Sequence, residues 1–270
     1  TGVTGTTPGS KPAVTFTVAD GKGNPAPVST LGALAFILAG PTTDYTTPSG
    51  RPVTENALTA AVASGTGYKY TFTTATIPTG AKGTFTIGAQ AYRLVTVPGS
   101  LLGQSFAVRE SANNALFNFS VDGTALTARR TVVDVKNCND CHQTLALHGG
   151  SRTDTNYCVT CHAPLATDNS TPAQTINFKT HIHRIHTGAE LENTWTFGST
   201  NYNGLGFPGD RRNCNGCHVG TSFTLPLPAS AVAASNPSGF YTPWGATASA
   251  CLGCHDGQDA AAHAYLQTAA

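Results

Sequence analysis

Four copies of one five-residue pattern, Cys-x-x-Cys-His, stand in the second half of the chain. Two cysteines at this spacing can add to the two vinyl groups of one porphyrin, and the histidine that follows reaches the iron from one face. This is the attachment signature of a c-type haem, so the sequence predicts four covalently bound haems. The predicted attachment residues are Cys138 and Cys141, Cys158 and Cys161, Cys214 and Cys217, and Cys251 and Cys254, followed by His142, His162, His218 and His255 as proximal ligands.

Two other uses of paired cysteines compete with haem. Cys-x-x-Cys pairs also build four-cysteine zinc sites, and cysteines can form a disulfide framework. Neither use requires a histidine directly after each pair, whereas all four pairs have one in a chain with only 9 histidines among 270 residues. The pattern uses all 8 cysteines, so none is left over for a disulfide. The sequence therefore favours haem.

The second axial ligand of each haem is also predicted to be histidine. The chain contains no methionine, which excludes the His/Met ligation of small cytochromes c. Bis-histidine coordination fills both axial positions and leaves no open site for oxygen or a substrate, so such haems pass electrons. Five histidines outside the motifs are candidates for the four second positions: His148, His181, His183, His186 and His263.

Three of these candidates stand in one short segment, from Phe178 to Gly188, which predicts a helix that ends at the glycine. His183 and His186 are three residues apart and share a helix face, so they could serve two neighbouring haems. His181 lies on a different face. We expect it to be spare, or to be lent to a neighbouring molecule.

Composition narrows the class of protein. A length of 270 residues suggests two domains, and 11% charged residues with a net charge of +1 give no basic footprint for nucleic acid. No nucleotide-binding fingerprint appears. The longest apolar run, 31–39, is far short of the roughly 20 residues that a membrane-spanning helix needs. Because c-type haem is assembled outside the cytoplasm and no signal peptide is visible, we expect a processed, exported protein at the cell surface or beyond. No cysteine is spare for a lipid anchor.

The first 130 residues contain neither cysteine nor histidine. Alternating β-branched and aromatic residues in 14–18, 68–72, 85–94 and 115–121, separated by Gly, Pro and Asp turns, predict an all-β antiparallel sandwich or Greek-key domain over 1–130. Residues 53–64 are predicted as a short helix or a loop. We interpret this domain as a spacer and cover for the haems, with a docking or polymerisation surface as the alternative.

Residues 131–270 are predicted to form a loop-rich tetrahaem domain with short helices. The segment is poor in apolar side chains, and four porphyrins would supply the missing core. Trp195 and Trp244 are predicted to be packing residues rather than electron relays. Seven basic residues near the motifs could pair with haem propionates or be solvated: Arg129, Arg130, Arg152, Lys179, Arg184, Arg211 and Arg212.

The chain resembles the outer-membrane decahaem cytochromes of the OmcA/MtrC type. The resemblance is carried by CNDCHQTLALHGGSRTDTNYCVTCHAP, FKTHIHRIHTG, RRNCNGCHVGTSFTLPL and CLGCHDGQDAAAHAY, and in the β region by VTFTVADGKGNPAPVSTLGALAFILAGPTTDY and YKYTFTTATIPTGAKGTFTIGAQAYRL. Members consist of two halves, each a β domain followed by a pentahaem domain. The resemblance implies that the distal ligands are His148, His183, His186 and His263. This chain matches one half, without the fifth Cys-x-x-Cys-His.

Two functions follow from this combination. The first is extracellular electron transfer along a chain of haems, with other multihaem cytochromes or copies of the same chain as partners, for instance in a cytochrome filament. Low charge reduces repulsion between copies. The alternative is a cell-surface terminal reductase for ferric minerals, humic compounds or other extracellular acceptors.

Overall fold

The computed structural model describes residues 2–47, 51–99 and 103–268. Strands dominate the first 120 residues, and short helices the rest. The strands are Gly2–Thr4 (β1), Ala13–Phe16 (β2), Ala33–Ala39 (β3), Thr54–Asn56 (β4), Val62–Ser64 (β5), Gly67–Thr71 (β6), Thr84–Pro98 (β7), Ser105–Ser111 (β8) and Ala115–Ser120 (β9), followed by the short pair Thr196–Phe197 (β10) and Thr200–Asn201 (β11). The helices are Val135–His142 (α1), Thr155–Cys161 (α2), Phe178–Thr187 (α3), Ala248–Cys251 (α4) and Gln258–Thr268 (α5).

Strands β1 to β9 form two antiparallel sheets packed face to face, and β10 and β11 form a separate two-stranded sheet. One sheet has the order β1-β2-β6-β5, and the other has the order β4-β3-β7-β8, with β9 also paired to β7. Apolar side chains from both sheets meet in the main core of the molecule, where the Phe16 and Phe36 rings are 5.1 Å apart and the Phe36 and Tyr70 rings 5.6 Å apart. The predicted strand at 14–18 corresponds to β2, 68–72 to β6, 85–94 to β7 and 115–121 to β9.

Residues 53–64 do not form the predicted helix or loop. They hold two edge strands, because Thr54–Asn56 pairs with β3 and Val62–Ser64 pairs with β6. Edge strands of three residues are too short to display an alternating pattern, so the local sequence carries little strand signal. One buried group holds this region together: the Glu55 carboxylate accepts hydrogen bonds from the Tyr70 hydroxyl and from the backbone of Thr73, Thr74 and Ala75.

The central strand β3 is buried on both faces. Leu34, Phe36 and Leu38 point into the sandwich core, whereas Ile37 packs on Tyr157 of α2. The neighbouring strand β7 also contacts both the sandwich core and α2. At Gly88 of this strand, an added Cβ would lie only 2.9 Å from the Tyr157 ring. The apolar run 31–39 is therefore a strand between the sandwich and the helices.

The helical region has only small apolar clusters of its own. One contains Val159, Ala163, Ala166 and Ile176 beside Tyr45 of the β region, and another consists of Trp244 with alanines and a leucine of α4 and α5. The first two helices begin at aspartate N-caps, since Asp134 accepts from the Lys136 N–H and Asp154 from the Asn156 N–H. Helices thus form around the motifs without a large side-chain core.

A buried carboxylate ties the two regions together. Asp44, in the turn after β3, forms salt bridges with Arg129 at 2.9 Å and Arg130 at 3.1 Å, and accepts a bond from the Val232 N–H. These arginines stand at the predicted domain boundary. Among the described residues, no helix is long and apolar enough to cross a membrane.

Candidate haem-binding site

Each Cys-x-x-Cys-His motif lies on a short helix or turn. The first is in α1, the second ends α2, the third is a 3₁₀ turn at Cys214–Gly216, and the fourth begins at the last residue of α4. The eight cysteines form no disulfide bonds with one another. Burial raises the pKa of Cys158 to about 12, and the pKa values of Cys138, Cys161 and Cys217 are raised for the same reason, so before any haem is attached these side chains are neutral thiols.

Three motif histidines face a histidine from outside the motifs. The ring centres are 6.1 Å apart for His142 and His186, 6.1 Å for His218 and His183, and 6.0 Å for His162 and His148. Two imidazoles bound on opposite sides of one metal through bonds of about 2 Å have ring centres about 6 Å apart. The three separations therefore fit one iron between each pair.

Helix α3 brings three motifs together. Its histidines face three different motif histidines, because His181 lies 5.7 Å from His162, His183 lies against His218, and His186 lies against His142. The helix begins at the N-cap Asn177 and ends at Gly188, whose φ of 43° suits a glycine stop. The predicted helix 178–188 is thus confirmed.

Hydrogen bonds orient several of these rings through Nδ1. The Nδ1 of His162 lies 2.7 Å from the Ile176 carbonyl, and that of His186 lies 2.9 Å from the Ile182 carbonyl. The Nδ1 of His218 lies 3.2 Å from the Ser222 hydroxyl, which in turn donates to the Val132 carbonyl. Such contacts fix the tautomer and leave Nε2 free to bind a metal.

The buried rings are kept neutral. Burial lowers the pKa of His183 to about 4 and that of His181 to about 3, and it also lowers the pKa values of His162, His186 and His218. A neutral imidazole is the form that binds a metal. At neutral pH these side chains are therefore ready to act as ligands.

His181 is the histidine that the sequence left over. It is only 8% exposed, it packs against the rings of Trp195 and Phe197, and its Nδ1 has no hydrogen-bond partner among the described residues. Burial of this depth favours the spare role over donation to a neighbouring molecule.

The fourth motif is not completed in the same way. His255 and His263 are both exposed and lie outside the imidazole pairs of the other motifs. His263 stands on α5, which packs through Ala261 and Ala264 on Trp244 and Leu252. The structure does not bring these two histidines together.

The first and third motifs are in direct contact, and the fourth motif contacts α3. Val133, just before the first motif, pairs with His218, and the Asn137 side chain donates to the Cys217 carbonyl at 3.2 Å. In the fourth motif, a Cβ on Gly253 would lie 2.6 Å from the Cβ of His183. Because α3 also faces the first three motifs, the four motifs form a contiguous group around this helix.

The seven basic residues considered for haem propionates all have protein partners. Arg129 and Arg130 bind Asp44, Arg152 donates to Gln90, and Lys179 donates to the Ala246 carbonyl. Arg184 donates to the Leu252 carbonyl between the Trp195 and Trp244 rings, Arg211 pairs with Glu190, and Arg212 pairs with Asp210. Both tryptophans are buried and donate through Nε1, to Gln174 and to the Phe240 carbonyl.

The donor set fits haem better than zinc. Within 2–47, 51–99 and 103–268, no three Cys, His, Asp or Glu side chains converge as a metal-ion cluster. Paired imidazoles beside paired thiols are the arrangement that a covalently attached haem requires.

Comparison with known proteins decides the family. A family model described as outer membrane cytochrome MtrC/MtrF-like, domains II/IV, matches residues 130–270, which is more than half of the chain. The chain belongs to this family. The resemblance predicted from the motifs is thereby confirmed.

An individual member of the family is also similar to this chain in sequence and in fold. The protein named "Multiheme cytochrome MtrC" of Shewanella baltica (strain OS185) is 49% identical over 53 residues, which are 18% of this chain and 8% of that protein. The crystal structure of MtrC from Shewanella baltica OS185 covers 95% of this chain and 41% of its own length, with a TM-score of 0.50 and 20% identity. At that identity the likeness shows the MtrC-like fold alone. The chain spans less than half the length of each.

Sequence reasoning missed the side chains that orient the ligands. Ser222 stands four residues beyond His218, and the Ile176 carbonyl lies fourteen residues beyond His162. Asn114 and Arg109, which contact the loop that carries His148, lie in the β region. These contacts depend on tertiary structure, and no local pattern indicates them.

Proposed function

We propose that this chain is a tetrahaem c-type cytochrome unit that transfers electrons outside the cell or at its outer surface. The observation that carries the proposal is the set of three imidazole pairs at 6.0 to 6.1 Å, each joining a motif histidine to a second histidine. With both axial positions filled, the haem supplies reversible one-electron exchange at iron and no open coordination site.

The protein residues then hold and orient the cofactors. Four cysteine pairs attach them: Cys138 and Cys141, Cys158 and Cys161, Cys214 and Cys217, and Cys251 and Cys254. The proposed axial pairs are His142 with His186, His162 with His148, and His218 with His183. His255 with His263 is proposed as the fourth pair from the resemblance of the motifs alone, because these two rings are not paired in the structure. Contact between neighbouring motifs supports electron transfer from haem to haem within the chain.

The proposed partners are other multihaem cytochromes or copies of this chain. Support comes from two exposed apolar regions in different parts of the sequence. The end of the β7–β8 hairpin exposes Val97, Phe106 and Val108, and α5 exposes Tyr265 and Leu266. Two dissimilar surfaces are what a head-to-tail contact between copies requires, and such contacts generate filaments when they do not close into rings.

A second function has its own support. Cys251 and His255 of the fourth motif are exposed, so a haem attached there would present an edge to solvent. Outer-sphere reduction of an extracellular acceptor needs only such an edge. The same chain could therefore act as a terminal reductase for metal oxides or other acceptors.

Spectroscopy tests the haem assignment. A pyridine haemochrome assay on the purified chain should give four haems per polypeptide, and electron paramagnetic resonance (EPR) of the oxidised protein should show low-spin iron at every haem. Fewer than four haems, or a high-spin haem in the wild-type chain, would contradict the proposal.

Electron microscopy of native secreted material separates the two functions. Filaments with haems continuous across subunit junctions would establish the conduit function. Discrete particles that expose one haem edge, together with direct reduction of ferric particles by the reduced protein, would establish the reductase instead.

A further inference from the structure

The loop that carries His148 has an unusual backbone. His148, Gly149 and Gly150 all have positive φ, at 52°, 78° and 91°. Glycine adopts this region freely, but a residue with a side chain is disfavoured there. The His148 ring is also exposed, so packing does not fix its position. Backbone hydrogen bonds of Leu147 with Gly150 and Arg152 close the loop itself. Contacts from outside the loop are what can fix its place beside His162, whose ring centre is 6.0 Å from that of His148.

The β7–β9 hairpin supplies those contacts. Arg109 donates to the Gly149 carbonyl at 2.8 Å, and Ser111 donates to the Gly150 carbonyl. Asn114 donates to the Ser151 carbonyl at 3.0 Å and accepts from the Thr153 N–H at 2.8 Å. Gln90 accepts from Arg152 at 2.9 Å. The four hairpin residues, called here the hairpin clamp, bind every residue from 149 to 153: Gln90, Arg109, Ser111 and Asn114.

A β-bulge in the hairpin places one clamp residue towards the loop. Tyr92 of β7 pairs with Ser111, whereas Ala89 pairs with Ala115, so two residues of β7 face three residues of the other strand. The extra residue makes a β-bulge, a feature that redirects side chains out of the regular alternation. Asn114 lies in the bulge, where it can reach the loop.

A second imidazole stands at a similar distance from the same motif histidine. The centre of the His181 ring is 5.7 Å from that of His162, against 6.0 Å for His148. His181 is buried, and its Nδ1 has no hydrogen-bond partner among the described residues. One iron has one position opposite His162, so only one of the two rings can fill it.

We propose that the hairpin clamp is a positioning device that makes His148, rather than His181, the partner of His162 at one haem. This inference rests on the haem assignment proposed above. The β region then has a direct part in haem ligation in addition to covering the haems. If the clamp were removed, the bond from the haem iron to His148 would be replaced by one to His181, with no proton or electron gained or lost.

Substitution of His148 and His181 tests whether His181 can replace His148 as the partner of His162. His148→Leu should leave all four haems low-spin, because His181 takes the sixth position, with the EPR signal and midpoint potential of one haem changed. His148→Leu combined with His181→Leu should make one haem in four high-spin. A high-spin haem in His148→Leu alone would overturn the proposal.

Substitution of the clamp tests whether it selects the ligand. Arg109→Ala with Asn114→Ala should change the EPR signal and midpoint potential of one haem in four towards those of His148→Leu. Adding His181→Leu should produce a high-spin fraction at that haem. Wild-type signals and potentials in the Arg109→Ala, Asn114→Ala variant would overturn the proposal.

Matched variants separate positioning from a general loss of structure. Arg93→Ala with Glu110→Ala removes an exposed ion pair from the same hairpin, and should leave every haem signal unchanged. Arg109→Lys keeps a donor for the Gly149 carbonyl, and should return the signal towards wild type in the presence of Asn114→Ala. A wild-type chain that lacks four low-spin haems contradicts the proposed function itself. If the wild-type chain has four low-spin haems but the clamp substitutions leave the spectra unchanged, only the positioning role is contradicted.

Discussion

The two regions of this molecule obtain their cores from different sources. In the β region, large side chains from both sheets fill the space between them, and Phe72, Phe85 and Ile77 are almost completely buried. In the helical region, the buried apolar residues fall into small clusters that contain many alanines. A region with so little apolar surface to bury cannot offset the conformational entropy lost on folding. We infer that four porphyrins provide the missing surface.

Removing the haems should therefore have the largest effect. If the chain is produced without haem attachment, residues after about 130 should lose their folded structure while the β sandwich persists. Limited proteolysis with mass spectrometry should yield a resistant fragment that ends near Arg130, whereas the haem-loaded chain is cut little under the same conditions. A resistant fragment covering the second half of the haem-free chain would contradict the inference that the helical region depends on haem for its core.

A cavity in the sandwich core should have the next largest effect, and should destabilise only the β region. Phe72 is 1% exposed and packs edge-on against Tyr70 at 5.6 Å. Phe72→Ala should lower the free energy of unfolding of the haem-free β region by about 4 kcal/mol, as measured by urea denaturation. Val62→Ala, at a side chain that is 61% exposed, should change it by less than about 0.5 kcal/mol. Equal effects of the two variants would argue against the core described here.

The buried Glu55 gives the β region a pH dependence of its own. Burial alone would raise the pKa of this carboxyl, but hydrogen bonds from Ala75, Thr73 and Tyr70 outweigh burial and lower it below 4.5. The stabilisation is therefore complete above about pH 4.5, and is lost as the pH falls through the lower folded-state pKa. Glu55→Gln should cost about 2 kcal/mol at pH 7.

Glu55→Gln should also make the free energy of unfolding depend less on pH in the acid range. In urea titrations between pH 5 and pH 2, the difference between wild type and Glu55→Gln should shrink as the carboxyl becomes protonated. A difference that stays constant across this range would show that the charge of Glu55 is not the source of the stabilisation.

The smallest effect should come from a hydrogen bond in the helical region. Ser222→Ala removes the acceptor for the Nδ1 of His218, which would make this imidazole, as a proposed ligand, a weaker donor to ferric iron. The loss of roughly 0.5 to 1 kcal/mol should raise the midpoint potential of one haem by on the order of 20 to 40 mV for a one-electron couple. Spectroelectrochemistry would measure this shift. Thr224→Val, which removes an exposed hydroxyl nearby, should leave all four potentials in place.

The parts of this protein with a local signal could be predicted. Alternation in 68–72 and 115–121 identified strands, and the run 178–188 with its closing glycine identified a helix, because both depend on neighbours in sequence. The two short strands within 53–64 were not predicted, since their partners are distant in sequence. The motifs also indicated the family.

Contacts between the regions could not be predicted in the same way. Asn114 and Arg109 look like ordinary hairpin residues until the loop 148–154 is placed beside them. The burial of His181 depends on Trp195 and Phe197, which follow in a separate segment. Arg129 and Arg130 were candidates for haem propionates, and the structure gives them a partner, Asp44, some 85 residues earlier in the chain.

Helix α3 places a constraint on how this sequence can vary. Its three histidines face three different motifs, and successive residues of an α-helix are rotated by about 100° around its axis. Inserting or deleting one residue between His181 and His186 would turn at least one of these rings away from its partner. The loops between motifs can change in length without this penalty. Relatives that keep the same ligand arrangement should therefore differ in loop length, but share this helix without gaps.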